Sequence, residues 1–252
     1  MQFAKSIGSK FSKEAFRSRK AVYGRQYGFD WYIRQMLKSE ADAISPDTVA
    51  ELYAHWGDPL TQNAESYLRS CMAEAARCEG PILQCGTSLL TLMLGVTCKI
   101  SGEEKANHLW CLENDNHWAN VIRSWLTQYS IGNAHVIATR AKMFEEYIWY
   151  AIDPTRLADK FSLVICDGAR ATPKGVIGVL ERLEDRLASN CIILTRNVTK
   201  RADLKHINGW AKVRGATFVV VDKKEAFIKL SLHTQEPMEA QQQLESGERS
   251  PS

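Results

Sequence analysis

Residues 219–230 read Val219-Val220-Val221-Asp222-Lys223-Lys224-Glu225-Ala226-Phe227-Ile228-Lys229-Leu230. This stretch decides the fold, because two apolar, strand-like runs stand on either side of a polar link only four residues long. Parallel neighbours need a connection of a dozen or more residues, so the two runs must pair as antiparallel strands. The chain is therefore predicted to end its folded part with an antiparallel hairpin.

Upstream of this hairpin, short apolar runs alternate with helical stretches such as 117–128 and 176–187. The runs occupy 82–85, 109–112, 135–138, 163–166, 191–194 and 218–221. Such alternation is typical of a parallel sheet that helices cover on both faces. We predict an α/β fold: a three-layer α/β/α sandwich with a mostly parallel seven-stranded sheet, a C-terminal antiparallel hairpin and an N-terminal helical extension.

The composition fits a folded chain with one main domain. Of 252 residues, 45% are hydrophobic and 24% charged, with 15 Gly and 7 Pro, which excludes collagen-like and wholly disordered chains. Helical periodicity dominates before Gly80 and the strand–helix alternation follows it. We predict a helical cap over 1–79, an α/β domain over 80–233 and a disordered, glutamine-rich tail over 234–252.

Positive charge is concentrated at the start of the chain. Residues 1–40 hold nine Lys or Arg against three acids, and Phe3, Ile7 and Phe11 recur at helical spacing. This pattern allows a basic amphipathic helix in peripheral contact with an anionic membrane, or a transit-like segment. The interpretation we favour is a solvated helix or loose arm that covers the main domain.

The cysteines indicate a reducing compartment. There are seven, an odd number, with no CxxC pair, and four of them lie in strand-like runs where a free Cys packs as a small apolar residue. We therefore expect reduced, buried thiols and a cytoplasmic protein.

The uncharged stretch 81–98 contains several polar residues and predicts a strand, a turn and a buried helix rather than a membrane span.

Candidate chemistry lies where the strands end, because ligands of open α/β sheets bind beyond the carboxyl ends of the strands. The first strand is followed by the small-residue turn Gly86-Thr87-Ser88 and an apolar helix, whose first N–H groups are free to bind a ligand. The second strand ends at Glu113, whose carboxylate can accept hydrogen bonds from ribose hydroxyls. Alternatively, Glu113 caps the next helix; we assign ribose binding to Glu113 and capping to Asp115.

Four segments together carry a family resemblance. These are ILQCGTS at 82–88, LWCLEND at 109–115, FSLVICDG at 161–168 and the terminal hairpin. In these segments the chain resembles class I S-adenosylmethionine-dependent methyltransferases over about 80–230, and the hairpin separates them from nicotinamide-binding Rossmann enzymes. The resemblance implies S-adenosylmethionine as cofactor and methyl transfer, with small-molecule or sugar O-methyltransferases as the nearest group.

The resemblance assigns roles to individual residues. Gly86 would lie under the methionine part of the cofactor, and the residues beside it would line the same loop: Gln84, Cys85, Thr87 and Ser88. Glu113, with Asn114, would bind the ribose, and Thr139 and Arg140 would border the adenine. Asp167 would face the methionine amino group or the substrate. Apart from the resemblance, Asp167 is by position the nearest candidate to take the proton of a hydroxyl nucleophile. Arg196, near a strand end, either holds an anionic acceptor or is an exposed loop charge.

Two residues depart from the family pattern, and one stretch differs from its metal-dependent members. Gln84 stands where an acid is usual, Ser88 replaces a second glycine, and Thr195-Arg196-Asn197 lacks the carboxylates of metal-dependent members. Since Mg²⁺ needs carboxylate oxygens, we predict no metal. The departures also allow a catalytically degenerate, methyltransferase-like binding or scaffold protein.

Nucleic-acid methylation is a third possibility, suggested by aromatic residues among the N-terminal arginines. The slightly acidic body of the chain argues against a nucleic-acid partner, and we expect a small-molecule acceptor.

In the N-terminal cap, Trp56, Asn63 and Tyr67 are plausible linings of the acceptor pocket, although packing roles suit their helical spacing better.

Overall fold

The sheet forms from the apolar runs that the sequence indicates. A computed structural model of the chain describes residues 27–39, 45–56, 65–101, 108–144, 147–166, 175–196, 198, 201–222 and 227–233. The seven strands of its main sheet are β1 (Ile82–Cys85), β2 (Leu109–Glu113), β3 (Ala134–Ala138), β6 (Phe161–Cys166), β7 (Leu187–Thr195), β8 (Thr217–Asp222) and β9 (Phe227–Ser231), and a separate hairpin contains β4 (Ala141–Phe144) and β5 (Tyr147–Tyr150).

The strand order is β3-β2-β1-β6-β7-β9-β8. The first five strands in this order are parallel neighbours, whereas β9 pairs antiparallel with both β7 and β8. The predicted fold class is confirmed, including the terminal hairpin. Predictions for residues 1–26, for the tail after His233 and for Asp167 lie outside the described residues.

Helices cover both faces of the sheet. One face carries α3 (Glu65–Arg77), α4 (Leu89–Ile100) and α5 (Asn116–Gln128), and the other carries α6 (Gly175–Arg182) and α7 (Arg201–Val213). A helix over the described residues 27–36, here α1, and α2 (Pro46–Trp56) pack outside the first group. Because the crossover helices change faces between β1 and β6, the direction in which strands are added reverses there.

The uncharged stretch 81–98 forms β1, a turn and most of α4, as predicted. Ten of the twelve residues of α4 are buried, from Leu89 to Cys98, because the helix is apolar on every side and lies between the sheet and its neighbours. No described helix is both long and apolar enough to cross a bilayer. All seven cysteines are free and buried.

Two local predictions need correction. The helix expected over 176–187 ends at Arg182, and a short 3-10 turn leads into β7, which begins at Leu187. The β4–β5 hairpin was not predicted, although Tyr147-Ile148-Trp149-Tyr150 is rich in strand-forming residues. The hairpin rests on α6, where Gly178 leaves room for the buried indole ring of Trp149.

Candidate functional site

The strand order reverses between β1 and β6, and at such a point open α/β sheets bind ligands in a crevice beyond the carboxyl ends of the strands. Cys85 and Cys166 form the last matched pair of these strands, and Gly86 follows Cys85 directly. Gly86 has a positive φ of 89°, a conformation that side chains with a Cβ rarely adopt. Its N–H donates to the carbonyl of Leu112 at 2.9 Å, so the chain turns sharply against the end of β2.

Ser88 caps the helix that follows this turn. Its hydroxyl accepts a hydrogen bond from the N–H of Leu90 at 3.2 Å, and its own N–H donates to the hydroxyl of Thr91 at 2.9 Å. This reciprocal arrangement satisfies N–H groups that a helix start leaves without partners. The serine that departs from the family pattern therefore has a structural role at the start of α4.

Glu113 ends β2 with a buried carboxylate that accepts four hydrogen bonds from the protein. Its Oε2 accepts from the N–H of Thr87 at 3.0 Å and from the Thr87 hydroxyl at 2.6 Å. Its Oε1 accepts from the N–H groups of Asn114 at 2.7 Å and Asp115 at 2.8 Å. Glu113 thus joins the end of β2 to the turn after β1, while Asp115 caps α5, as predicted, by accepting from Trp118 N–H at 3.0 Å.

Trp118 is a residue of this site that the sequence analysis missed. Its Nε1 donates to the carbonyl of Thr87 at 3.1 Å, so both polar groups of the Thr87 backbone are bound. The Trp118 ring packs edge-on against Trp56 of α2 and Trp125, with centroids 6.0 and 6.4 Å apart. Trp56 therefore supports the turn by packing, and only the tertiary fold brings Trp118 to residue 87.

The stretch after β3 also joins this edge. The N–H of Thr139 donates to the carbonyl of Glu113 at 2.8 Å, and the Thr139 hydroxyl donates to Ala151 at 3.0 Å. The carbonyl of Arg140 accepts from Ala151 N–H at 2.8 Å. These bonds hold the base of the β4–β5 hairpin beside Glu113, with the Arg140 side chain exposed.

Gln84 and Cys85 lie below the crevice, inside the sheet. Gln84 is fully buried and its Oε1 faces the thiol of Cys111 at 3.7 Å. Its Nε2 has no hydrogen-bond partner among the described residues, which makes it a buried donor of the kind that costs stability. Cys85 is packed in the core on the other face.

Arg196 follows β7, two strands away from β1. Its guanidinium lies over the ring of Tyr67 with Cζ 5.3 Å from the centroid, and Tyr67 packs edge-on against Phe227 at 5.0 Å. Tyr67, suggested as a lining of the acceptor pocket, is fully buried and instead supports the arginine. Thr195 is buried beside it.

The structure thus brings together Gly86, Thr87, Ser88, Glu113, Asn114 and Thr139 at one edge of the sheet, and it places Arg196 farther along that edge. Asp167, Asn197 and Asn63 lie outside the described residues. Within the described ranges, no group of three or more His, Cys, Asp or Glu side chains is placed to hold a metal ion.

Comparisons with known proteins find similarity in structure only. No family model matches the sequence, and no curated protein matches it. Among solved structures, the precorrin-6y C5,15-methyltransferase of Geobacter metallireducens is 13% identical, with a TM-score of 0.45, over 67% of this chain and 88% of that one. The ribosomal protein L11 methylase of Lactobacillus delbrueckii subsp. bulgaricus is 9% identical, with a TM-score of 0.46, over 66% and 77%.

The N-terminal domain of human METTL16 in complex with SAH is 14% identical, with a TM-score of 0.42, over 71% of this chain and 72% of that one. At these levels of similarity, the assignment of the fold rests on the topology of the chain itself. The terminal antiparallel hairpin, on which the resemblance partly rests, is present, and the strand order reverses beside β1. The chain has the Rossmann-like fold of class I methyltransferases.

Proposed function

We propose that the chain is an S-adenosylmethionine-dependent methyltransferase that methylates a hydroxyl group of a small molecule or sugar without a metal ion. The observation that carries this proposal is the placement of the Glu113 carboxylate against the Gly86 turn, at the edge where the strand order reverses. Carboxylates in this place bind ribose hydroxyls in nucleotide-binding α/β folds. The same edge contains the start of α4, and the positive end of the helix dipole there favours an anionic ligand group.

The residues at this edge suit the cofactor in their chemistry. Gly86 permits close approach of the backbone, Glu113 offers a carboxylate for the ribose, and Thr139 borders the space where the adenine would lie. When bound, the cofactor supplies an activated methyl group, and the protein supplies alignment and electrostatics. Asp167, next in sequence after β6, is proposed to take the acceptor proton, and Arg196 to orient an anionic part of the acceptor.

Calorimetric titration with S-adenosylmethionine and S-adenosylhomocysteine tests the cofactor site. We expect micromolar binding by the intact chain and loss of binding in Glu113→Ala. Asp115→Ala is the matched control, because it removes the cap of α5 next to Glu113 and leaves the Glu113 carboxylate in place. If the intact chain gives neither heat nor a thermal shift with saturating cofactor, the proposal fails.

A methyltransferase-like binding module is the second candidate, and Gln84 favours it. A neutral, buried amide occupies the place of the usual acid, and its nitrogen is unpaired among the described residues. Turnover distinguishes the two functions. Formation of S-adenosylhomocysteine with a panel of hydroxyl compounds would support the enzyme, whereas tight cofactor binding without turnover on any nucleophile would support the module.

A further inference from the structure

The hydrogen-bonding capacity of the Glu113 carboxylate is already filled by the protein. An ionised carboxylate has about four lone-pair positions, two on each oxygen, and each oxygen of Glu113 accepts two hydrogen bonds. The side chain is only 6% exposed. A ribose hydroxyl can therefore donate to Glu113 only if one of the four protein donors leaves.

Three of these donors are fixed in place. The N–H groups of Asn114 and Asp115 directly follow Glu113 along the chain, in the tight turn that leads into α5. The N–H of Thr87 belongs to a backbone segment whose carbonyl is bound by Trp118 Nε1. To move any of these N–H groups, the backbone of the site would have to change.

The fourth donor is the Thr87 hydroxyl, which can leave by rotation about a single side-chain bond. It makes the shortest of the four contacts, 2.6 Å to Oε2, and hydrogen bonds to charged groups are the stronger ones. Thr87 itself is only half-buried, so a rotated hydroxyl can find water. A nucleoside that enters the site must therefore displace this hydroxyl.

We propose that the Thr87 hydroxyl occupies on Glu113 the position that a ribose hydroxyl takes, so that Thr87 sets the affinity of the site for nucleoside cofactors. This proposal rests on the proposed function, since it assumes that a nucleoside binds at Glu113. It makes Thr87 a determinant of cofactor affinity through direct competition. If the hydroxyl is removed and the β-branched shape of the side chain is kept, one acceptor position of Glu113 Oε2 becomes open to the ligand.

The test compares Thr87→Val with Thr87→Ser by calorimetric titration with S-adenosylhomocysteine. Valine keeps the shape and lacks the hydroxyl, whereas serine keeps the hydroxyl. Because the ligand hydroxyl no longer has to displace the Thr87 hydroxyl, we expect Thr87→Val to bind about tenfold more tightly than the wild type, a difference of about 1.4 kcal/mol in binding free energy. We expect Thr87→Ser to stay near the wild-type affinity, and circular dichroism of each variant to show the native fold.

A second measurement separates competition from general loosening of the turn. Adenosine and 2′,3′-dideoxyadenosine differ only in the ribose hydroxyls, so Thr87→Val should improve binding of adenosine and leave binding of the dideoxy compound unchanged. An equal gain for both compounds would overturn the proposal. So would a Thr87→Val affinity for S-adenosylhomocysteine that equals or falls below the wild-type value.

These outcomes are distinct from failure of the proposed function. If the proposed function is wrong, neither the wild type nor Thr87→Val binds S-adenosylhomocysteine, and the proposal of competition at Glu113 fails as well. If only Thr87→Val binds, the proposed function of the intact chain fails, whereas competition between the Thr87 hydroxyl and the ligand at Glu113 is supported.

Discussion

Cys85 of β1 and Cys166 of β6 stand directly opposite each other at the carboxyl ends of two parallel strands. Both side chains are buried in the same core cluster. Burial raises the pKa of the Cys85 thiol well above its usual range, and the hydrogen bond with the Cys166 thiol raises it further. Since the thiolate is the reactive form of cysteine, we expect the buried Cys85 thiol to react slowly.

The same argument predicts that no cysteine of the native chain reacts readily. All seven are buried, and burial raises the pKa of Cys98 to about 12 and those of Cys111 and Cys191 as well. We expect negligible labelling by iodoacetamide at about pH 8 in buffer and seven labels per chain in denaturant, counted by mass spectrometry. Rapid labelling of Cys85 or Cys166 in the native state would contradict the burial of these thiols.

Glu113 is predicted to stabilise the fold independently of any ligand. In Glu113→Ala, the N–H groups of Thr87, Asn114 and Asp115 lose their acceptor in a largely buried place. Donors left without partners cost roughly 1–3 kcal/mol each when fully buried, and water reaches part of this edge. We expect the free energy of unfolding in urea to fall by about 2–4 kcal/mol, against about 1 kcal/mol for the cap variant Asp115→Ala. Equal losses in the two variants would contradict the four-bond description.

Ser88 is predicted to contribute through capping alone. Ser88→Ala removes the hydroxyl that accepts from Leu90 N–H and should lower the free energy of unfolding by about 1 kcal/mol. Ser88→Gly introduces the glycine that is usual in the family pattern. It should lower the free energy of unfolding by only about 0.3 kcal/mol, because glycine is itself tolerated at helix starts. Urea titration followed by circular dichroism measures both. A larger loss in the glycine variant than in the alanine variant would disprove the capping role.

The sequence predicts the seven strands of the sheet because each is a short run of apolar residues, as is typical of strands in a covered parallel sheet. The edge strand β8 shows the same pattern, although its residues Val219, Val220 and Val221 are exposed. The sequence misses β4 and β5, since this hairpin is short and the residues of β4 are mostly exposed, which leaves a weak periodic signal.

At the site, the places of Gly86, Glu113 and Asp115 could be predicted because these residues follow the ends of strands. The bond from Trp118 to Thr87 joins residues 31 positions apart and depends on how α5 packs, so no local pattern indicates it. The filling of Glu113 likewise depends on the conformation of the 86–88 turn.

His135 is predicted to make stability depend on pH. Its Nε2 lies 3.2 Å from Nδ1 of His108, and the ring also packs against Trp110. Burial lowers the pKa of His135 below 6.5, and the charge of His108 lowers it further. The unfolded chain therefore binds more protons in this range, so stability should fall as the pH drops below about 6.5. In His135→Gln this part of the pH dependence of unfolding should vanish. In His117→Gln, a change at an exposed position of α5, the dependence should persist, and an unchanged profile in His135→Gln would refute the assignment.

Two helical glycines are predicted to respond in opposite directions to alanine. At Gly178 of α6, a Cβ would overlap the ring of Trp149, which is 1% exposed. The β4–β5 hairpin would have to lift off α6 or the indole would have to leave its place, so we expect Gly178→Ala to lower the free energy of unfolding by about 1–3 kcal/mol. At Gly209 of α7, a Cβ would meet no atom within 4 Å, and Gly209→Ala should raise stability by up to about 1 kcal/mol, since glycine is a poor helix former. Urea unfolding followed by tryptophan fluorescence and circular dichroism compares the two. A stabilising Gly178→Ala would mean that Trp149 does not pack on α6, and the hairpin beside Glu113 would then lack its support.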